Sequence, residues 1–338
     1  MVATHGLRPC PTDSLAGRIS RTVYTVSPAV LERMSLGLLP VGALRLPYPP
    51  VRELPTGRMV VLPGRGSTFV TDSGPTDAPT IILQHSVMTT GLLCWYPVIP
   101  ELNQRYRVVT LDHRWHGRGI RSSTFDLLDC ADDVAALADV LGIERFVAAG
   151  FSMGGGISQL VWRRHRDRVS GLVLCSTGPY FSTHDPHLRE QSNKTGRLLK
   201  PIDKLIPRAS AATLDKPTSH TALWGMRQFL STPFSHAGQF GEGLGRFDSR
   251  DWLDDIEVPT AVLVSTRDKV VSPQRQQLLV DGIQGARRFD VDGGHACCVL
   301  GADKFVPQFL DAVDVVAADK TAQRRSSSPD DRIGVSRL

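Results

Sequence analysis

The chain contains no apolar run approaching the roughly 18–20 residues that a bilayer-spanning helix needs. That absence argues against stable insertion in a membrane. Nor does the N-terminal region hold a continuous apolar segment of signal-peptide type. Leu36 to Leu44 is apolar but is broken by Pro40. There is no C-x-x-C and no H-E-x-x-H, and no other spacing of metal ligands, so neither a metal nor a cofactor is expected. Gly64-Arg-Gly66 lacks the third glycine and the following helix of a dinucleotide loop. The six cysteines (Cys10, Cys94, Cys130, Cys175, Cys297 and Cys298) are scattered and read as reduced thiols, which fits a cytoplasmic location. A basic patch interleaved with aromatics is also missing. Of the net charge of +5, residues 1–58 carry +4 and residues 317–338 carry +2, leaving −1 for the rest. The basicity belongs to the two ends, and a nucleic-acid partner is not expected.

Between those ends, short apolar segments alternate with helical patterns. Arg58–Leu62 and Ser67–Asp72 read as a hairpin, and Thr80–Gln84 and Arg107–Asp112 read as strands buried on both faces. Val134, Leu137, Ala138 and Leu141 fall at helical spacing, and Gly142 stops that helix. The strand Phe146–Gly150, a helix to about Arg166, and the strand Gly171–Cys175 follow. After residue 250 come the strand Thr260–Ser265, a helix over Pro273–Ile283, the strand Ala286–Val291 and a helix over Ala302–Val315. Alternation of this kind predicts an α/β fold with a doubly wound, mostly parallel eight-stranded sheet.

Three segments fall outside this pattern. Residues 1–57 read as an arm, partly disordered, with one short helix over Ser27–Leu39. Residues 178–250 interrupt the core, 58–177 and 251–316, and read as a helical cap with fragments around Leu188–Ile206 and Ala222–Leu230. A structureless loop of that length is unusual in a compact domain. Gly241–Gly245 reads as a hinge or turn, and residues 317–338 as a disordered tail.

The chemistry is concentrated in Gly150-Phe-Ser-Met-Gly154, between a strand and a helix. A serine in a strained strand-to-helix turn lifts its hydroxyl clear of the backbone only if the residues two before and two after lack bulk. Ser152 is the candidate nucleophile. Serine needs a base, and the base needs an orienting acid. Asp268 follows one later strand and His295 the next, so the order is Ser152, Asp268, His295. Asp290 and Asp292 are rival acids on the histidine's own strand and loop. His85 ends a strand, His113 and His116 lie in the turn after the fourth strand, and His165 sits among arginines on a solvated helix end.

From residue 58 to 316 the chain resembles the α/β-hydrolase superfamily. The likeness rests on His85-Ser86, Asp112-His-Arg-Trp-His-Gly-Arg-Gly119, Gly150-Phe-Ser-Met-Gly154, Asp268 and Gly294-His295. The spacings are those of capped members such as esterases, carbon–carbon bond hydrolases and cofactor-free haloperoxidases. The resemblance implies a structural role for His85, and an oxyanion hole made by the N–H groups of Met153 and Val87. Ser86 stands where relatives usually carry glycine; if that position needs φ > 0, the serine there stores about 1–3 kcal/mol of strain. The expected activity is serine-dependent hydrolysis of a carboxylic ester or similar acyl compound with a small apolar acyl substrate. Trp224, Phe229, Phe234 and Phe240 of the cap are expected to select it. Carbon–carbon bond hydrolysis or perhydrolysis with the same triad is the alternative. A binding protein on the same scaffold is a remoter one. The sequence leaves the oligomeric state open.

Overall fold

A computed structural model describes residues 48–181, 214, 221–233 and 236–318. The expected helices over Ser27–Leu39 and 188–206, residues 1–47 of the arm, the tail from 319 and Phe234 lie outside the described residues. The chain opens with the hairpin β1 (Gly57–Leu62) and β2 (Gly66–Ser73), then β3 (Thr80–Gln84). Two short helices, α1 (Gly91–Trp95) and α2 (Ile99–Leu102), lead to β4 (Arg107–Leu111). The series α3 (Leu127–Val140), β5 (Phe146–Phe151), α4 (Met153–Arg164) and β6 (Val169–Cys175) follows. Between β6 and β7 the described residues hold α5 (Thr221–Leu230) and α6 (Ala237–Gly245). The chain then returns through β7 (Thr260–Ser265), α7 (Pro273–Gly282), β8 (Arg287–Val291), α8 (Cys297–Leu300) and α9 (Ala302–Ala318).

The eight strands form one sheet in the order β1-β2-β4-β3-β5-β6-β7-β8. β1 and β2 run antiparallel, as do β2 and β4; the rest are parallel. Side chains alternate across the pleat. Phe146 and Ala148 of β5 join the layer of α3, α4 and α7, whereas Val147, Ala149 and Phe151 join that of α1, α8 and α9. Every β5 residue is buried, which is why its sequence shows no polar alternation.

One expectation is corrected here. Gly241–Gly245 is not a hinge but the second half of α6. Packing overrides the weak helix propensity of glycine: Phe240 is buried, stacks on His116 at 4.3 Å and meets Phe125 edge-on at 4.9 Å. The extra Cβ that any other residue would carry at Gly243 would lie 2.7 Å from the Phe125 ring.

The chain segments after β6 and before β7 meet at the core. Tyr180 pairs with Asp248 in an antiparallel bridge, and the Ser249 N–H donates to the Pro179 carbonyl at 2.8 Å. The Ser249 hydroxyl donates at 2.7 Å to Gln159 Oε1, and Gln159 Nε2 donates at 3.3 Å to the Gly178 carbonyl, tying both segments to α4.

Candidate active site

Ser152 stands between β5 and α4 with φ 54° and ψ −117°, a region that non-glycine residues seldom occupy. The turn is tight on both sides. A Cβ at Gly150 would lie 2.1 Å from the Gly154 carbonyl oxygen, and one at Gly154 would lie 2.1 Å from that of Gln84. The Ser152 N–H is held by the Cys175 carbonyl of β6 at 2.9 Å, and its own carbonyl accepts from the Gly155 N–H at 2.8 Å. The strained turn is therefore held by β6 on one side and by the first turn of α4 on the other.

The loops after β7 and β8 are stitched together. Thr266 N–H donates to Val291 C=O at 2.9 Å, and Arg267 N–H to Gly293 C=O at 3.0 Å. This stitching brings Asp268 and His295 together above Ser152. His295 Nε2 lies 2.9 Å from Ser152 Oγ, and Nδ1 lies 2.7 Å from Asp268 Oδ2. The Asp268 side chain has no solvent exposure, and that of His295 is 10% exposed. Asp268 Oδ1 accepts from the N–H groups of Val270 (2.7 Å) and Val271 (3.0 Å). Asp268 thus has donors on both oxygens and a fixed orientation.

The rival acids point elsewhere. Asp292 is an exposed carboxylate 2.8 Å from both Arg267 Nε and Lys304 Nζ, and the Lys304 ammonium holds it below the usual carboxylate range. Asp290 is more than half exposed and pairs with Arg288 at 2.7 Å.

The loop after β3 is organised by His85. Its Nε2 accepts from the His113 N–H at 2.8 Å, so the proton sits on Nδ1, which donates to the Ser86 carbonyl at 2.7 Å. The same carbonyl accepts the Thr89 hydroxyl at 2.7 Å. The conditional strain at Ser86 does not arise. Ser86 is not among the residues with positive φ; Met88, two residues on, takes φ 60° instead. Met153 is the first residue of α4, so its N–H has no acceptor within the helix. Val87 is half-buried on the loop after β3.

His113 and His116 are buried beneath this loop, their rings 4.6 and 5.1 Å from that of His85. Burial pushes the His113 imidazole well below the ordinary histidine range, with the neighbouring His85 adding to it. His165 pairs with Asp132 at 2.9 Å at the end of α4.

Trp224 and Phe229 are placed as packing. Trp224 is fully buried edge-on to Tyr96 at 5.1 Å, and its Nε1–H donates to the Leu214 carbonyl at 3.2 Å. Phe229 is half-buried against the α1 and α9 side of the core. These contacts join α5 to the core. None of them places Trp224 or Phe229 against Ser152.

The sequence reading missed Gln276. It is fully buried on the first turn of α7, with Nε2 3.3 Å from Asp268 Oδ2. The available signal was a glutamine four residues past Ser272, inside a helix of weak amphipathic pattern.

Comparison with known proteins agrees with this architecture. Residues 79–208 match the alpha/beta hydrolase fold family. The chain is 34% identical over 266 residues to a putative carbamate hydrolase RutD of Caulobacter sp. strain K31, covering 72% of this chain and 94% of that protein. It is 24% identical over 238 residues to 3-oxoadipate enol-lactonase 1 of Acinetobacter baylyi, covering 70% of this chain and 89% of the relative. The crystal structure of the enol-lactonase from Burkholderia xenovorans superposes with a TM-score of 0.64 at 25% identity, over 76% of this chain and 99% of the other. Fold, motif order and sequence likeness converge, and the chain belongs to the alpha/beta hydrolase fold family.

Proposed function

We propose that this chain is a serine hydrolase that cleaves a carboxylic ester, open or cyclic, through an acyl-enzyme. The observation that carries the reading is the continuous relay from Ser152 Oγ through His295 to the buried Asp268, at 2.9 and 2.7 Å. In this reading Ser152 attacks the carbonyl carbon while His295 Nε2 takes its proton. Asp268 holds the imidazole in the tautomer that leaves Nε2 free to do so. The tetrahedral oxyanion is held by the Met153 N–H at the positive end of α4 and by the Val87 N–H. His295 then returns the proton to the leaving alcohol, and water repeats the cycle on the acyl-enzyme. Relatives named as enol-lactonase and putative carbamate hydrolase support hydrolysis of an ester-like bond.

Ser152→Ala tests the reading directly. Hydrolysis of nitrophenyl esters should fall by several orders of magnitude, roughly 10⁴-fold or more in kcat, with the fold retained by circular dichroism. Near-wild-type turnover would overturn it. A chain-length series from acetate to decanoate tests the apolar acyl group. Each added methylene should improve kcat/KM by up to ~0.8 kcal/mol, about fourfold, until the pocket is full. A flat series would remove the apolar preference.

A further inference from the structure

Gln276 is the fourth residue of α7, a helix whose start is fixed by Ser272, which accepts the Arg275 N–H, and by Pro273 at the first position. The side chain is fully buried, and both ends of its amide are engaged. Oε1 accepts from the Ser265 N–H at 2.9 Å, at the last residue of β7. Nε2 donates to the Val271 carbonyl at 2.7 Å and faces Asp268 Oδ2 at 3.3 Å. That oxygen is the one bonded to His295 Nδ1. The amide assignment is forced, because the Ser265 N–H requires an acceptor and the Val271 carbonyl a donor. Gln276 therefore spans the Asp268 loop from its start at β7 to Val271, and presents a neutral donor to the same carboxylate oxygen that His295 meets.

We propose that Gln276 is a positioning residue of the triad. It fixes the Asp268 carboxylate so that Oδ2 meets His295 Nδ1 in line, and through it holds the imidazole against Ser152. A buried carboxylate on a loop of Thr-Arg-Asp-Lys has rotational freedom about its Cα–Cβ and Cβ–Cγ bonds. The Val270 and Val271 amides pin only Oδ1. Without the Gln276 donor, Oδ2 is held by the histidine alone, and any rotation of the carboxylate carries His295 with it. This inference rests on the triad reading above.

The test is Gln276→Glu, nearly isosteric and able to keep an acceptor for the Ser265 N–H while losing the amide donor. The titratable groups facing it are Asp268 and His295, with Cys297 entering from α8, where its Sγ lies 3.1 Å from Ser265 Oγ. Burial pushes the Cys297 thiol up to about 11, so it stays neutral during the experiment. On nitrophenyl ester, the variant's kcat should fall roughly 10- to 100-fold with KM within about twofold, a loss typical of partners one step removed from the reacting group. The loss should shrink as the pH is lowered from about 8 to about 5, because an ionised glutamate repels Oδ2 whereas a protonated one is neutral and regains a donor. A ratio of variant to wild-type kcat that is constant with pH, or an unchanged kcat, would overturn the inference. If the glutamate variant does not fold, Gln276→Met carries the same test. Its kcat, normalised to active sites titrated with a phosphonate ester, should fall by a similar factor at constant KM, and an unchanged value would overturn the inference. Ser152→Ala run alongside separates the two levels. Activity surviving that substitution sinks the triad reading itself, whereas its loss together with a normal Gln276 variant sinks only the role of Gln276.

Discussion

The choice among three aspartates shows how much a single carboxylate's surroundings decide. Asp290 and Asp292 lie closer to the histidine in sequence than Asp268 does, but only Asp268 is sealed from water, with two backbone amides on one oxygen and His295 on the other. Asp268→Asn should therefore lower kcat by roughly 10³–10⁴-fold by stabilising the wrong imidazole tautomer, with little change in KM. Asp292→Asn should stay within about twofold, because its partners are exposed cations on the surface. The opposite ranking in steady-state kinetics would reassign the acid. Gly154 makes a second residue-scale case. Since the atom an added Cβ would strike is the Gln84 backbone carbonyl, neither partner yields by a rotamer change. Gly154→Ala should destabilise by about 1–3 kcal/mol or more in urea unfolding and displace Ser152 with it. The need for glycine at 154 was legible in the sequence because the elbow spacing encodes a steric requirement, and Asp268 from its place just after the strand before that of the histidine. Gln276 was not legible, since a buried amide and an exposed one look alike in a helix whose apolar stripe is weak.

At the level of elements, the eight strands were readable as short apolar runs between turn signals, and the long helices from their 3.6-residue period. The short α1 and α2 were not. Five and four residues hold too little periodicity to register. Strand order was also invisible, for it depends on crossovers rather than on any strand's own residues. A buried polar network adds a further case. Asp133 sits on α3 beside the apolar face and accepts two hydrogen bonds from Arg114, at 2.6 and 2.9 Å, and one from Arg65 at 2.5 Å. It joins α3 to the β1–β2 hairpin and to the turn that carries His113 and His116. Asp133→Leu would strand the mostly buried Arg114 guanidinium, whose side chain is 8% exposed, without its strongest partner. Equilibrium unfolding should show a loss of about 3–5 kcal/mol. A loss under about 1 kcal/mol would show that solvent takes over the guanidinium, as at an ordinary surface pair.

For the molecule as a whole, the edge of the sheet that brings Ser152, His295 and Asp268 together also buries imidazoles, and this gives stability a dependence on acid. His113 is 1% exposed, and neither of its ring nitrogens has a hydrogen-bond partner among the described residues. Burial first, and the neighbouring His85 second, depress its proton affinity well below the ordinary value of 6.5. Unfolding exposes the ring and restores that ordinary value. Between about pH 6.5 and the depressed folded value, the unfolded chain holds a proton that the folded chain lacks. The direction is then fixed: stability is intact above about pH 6.5 and falls as the pH drops below it, at up to about 1.4 kcal/mol per pH unit for one proton. His113→Phe separates this contribution from that of the carboxylates. The variant keeps the backbone N–H that His85 Nε2 accepts, so the loop after β3 retains its anchor. Urea unfolding measured from about pH 7.5 to about pH 5 should give a shallower acid slope for the variant. Parallel curves would mean that His113 takes up its proton in the folded chain as readily as in the unfolded one. The buried edge would then admit a charge, and the acid sensitivity of the fold would have to come from its ion-paired aspartates, whose stabilisation is lost only below the ordinary aspartate value.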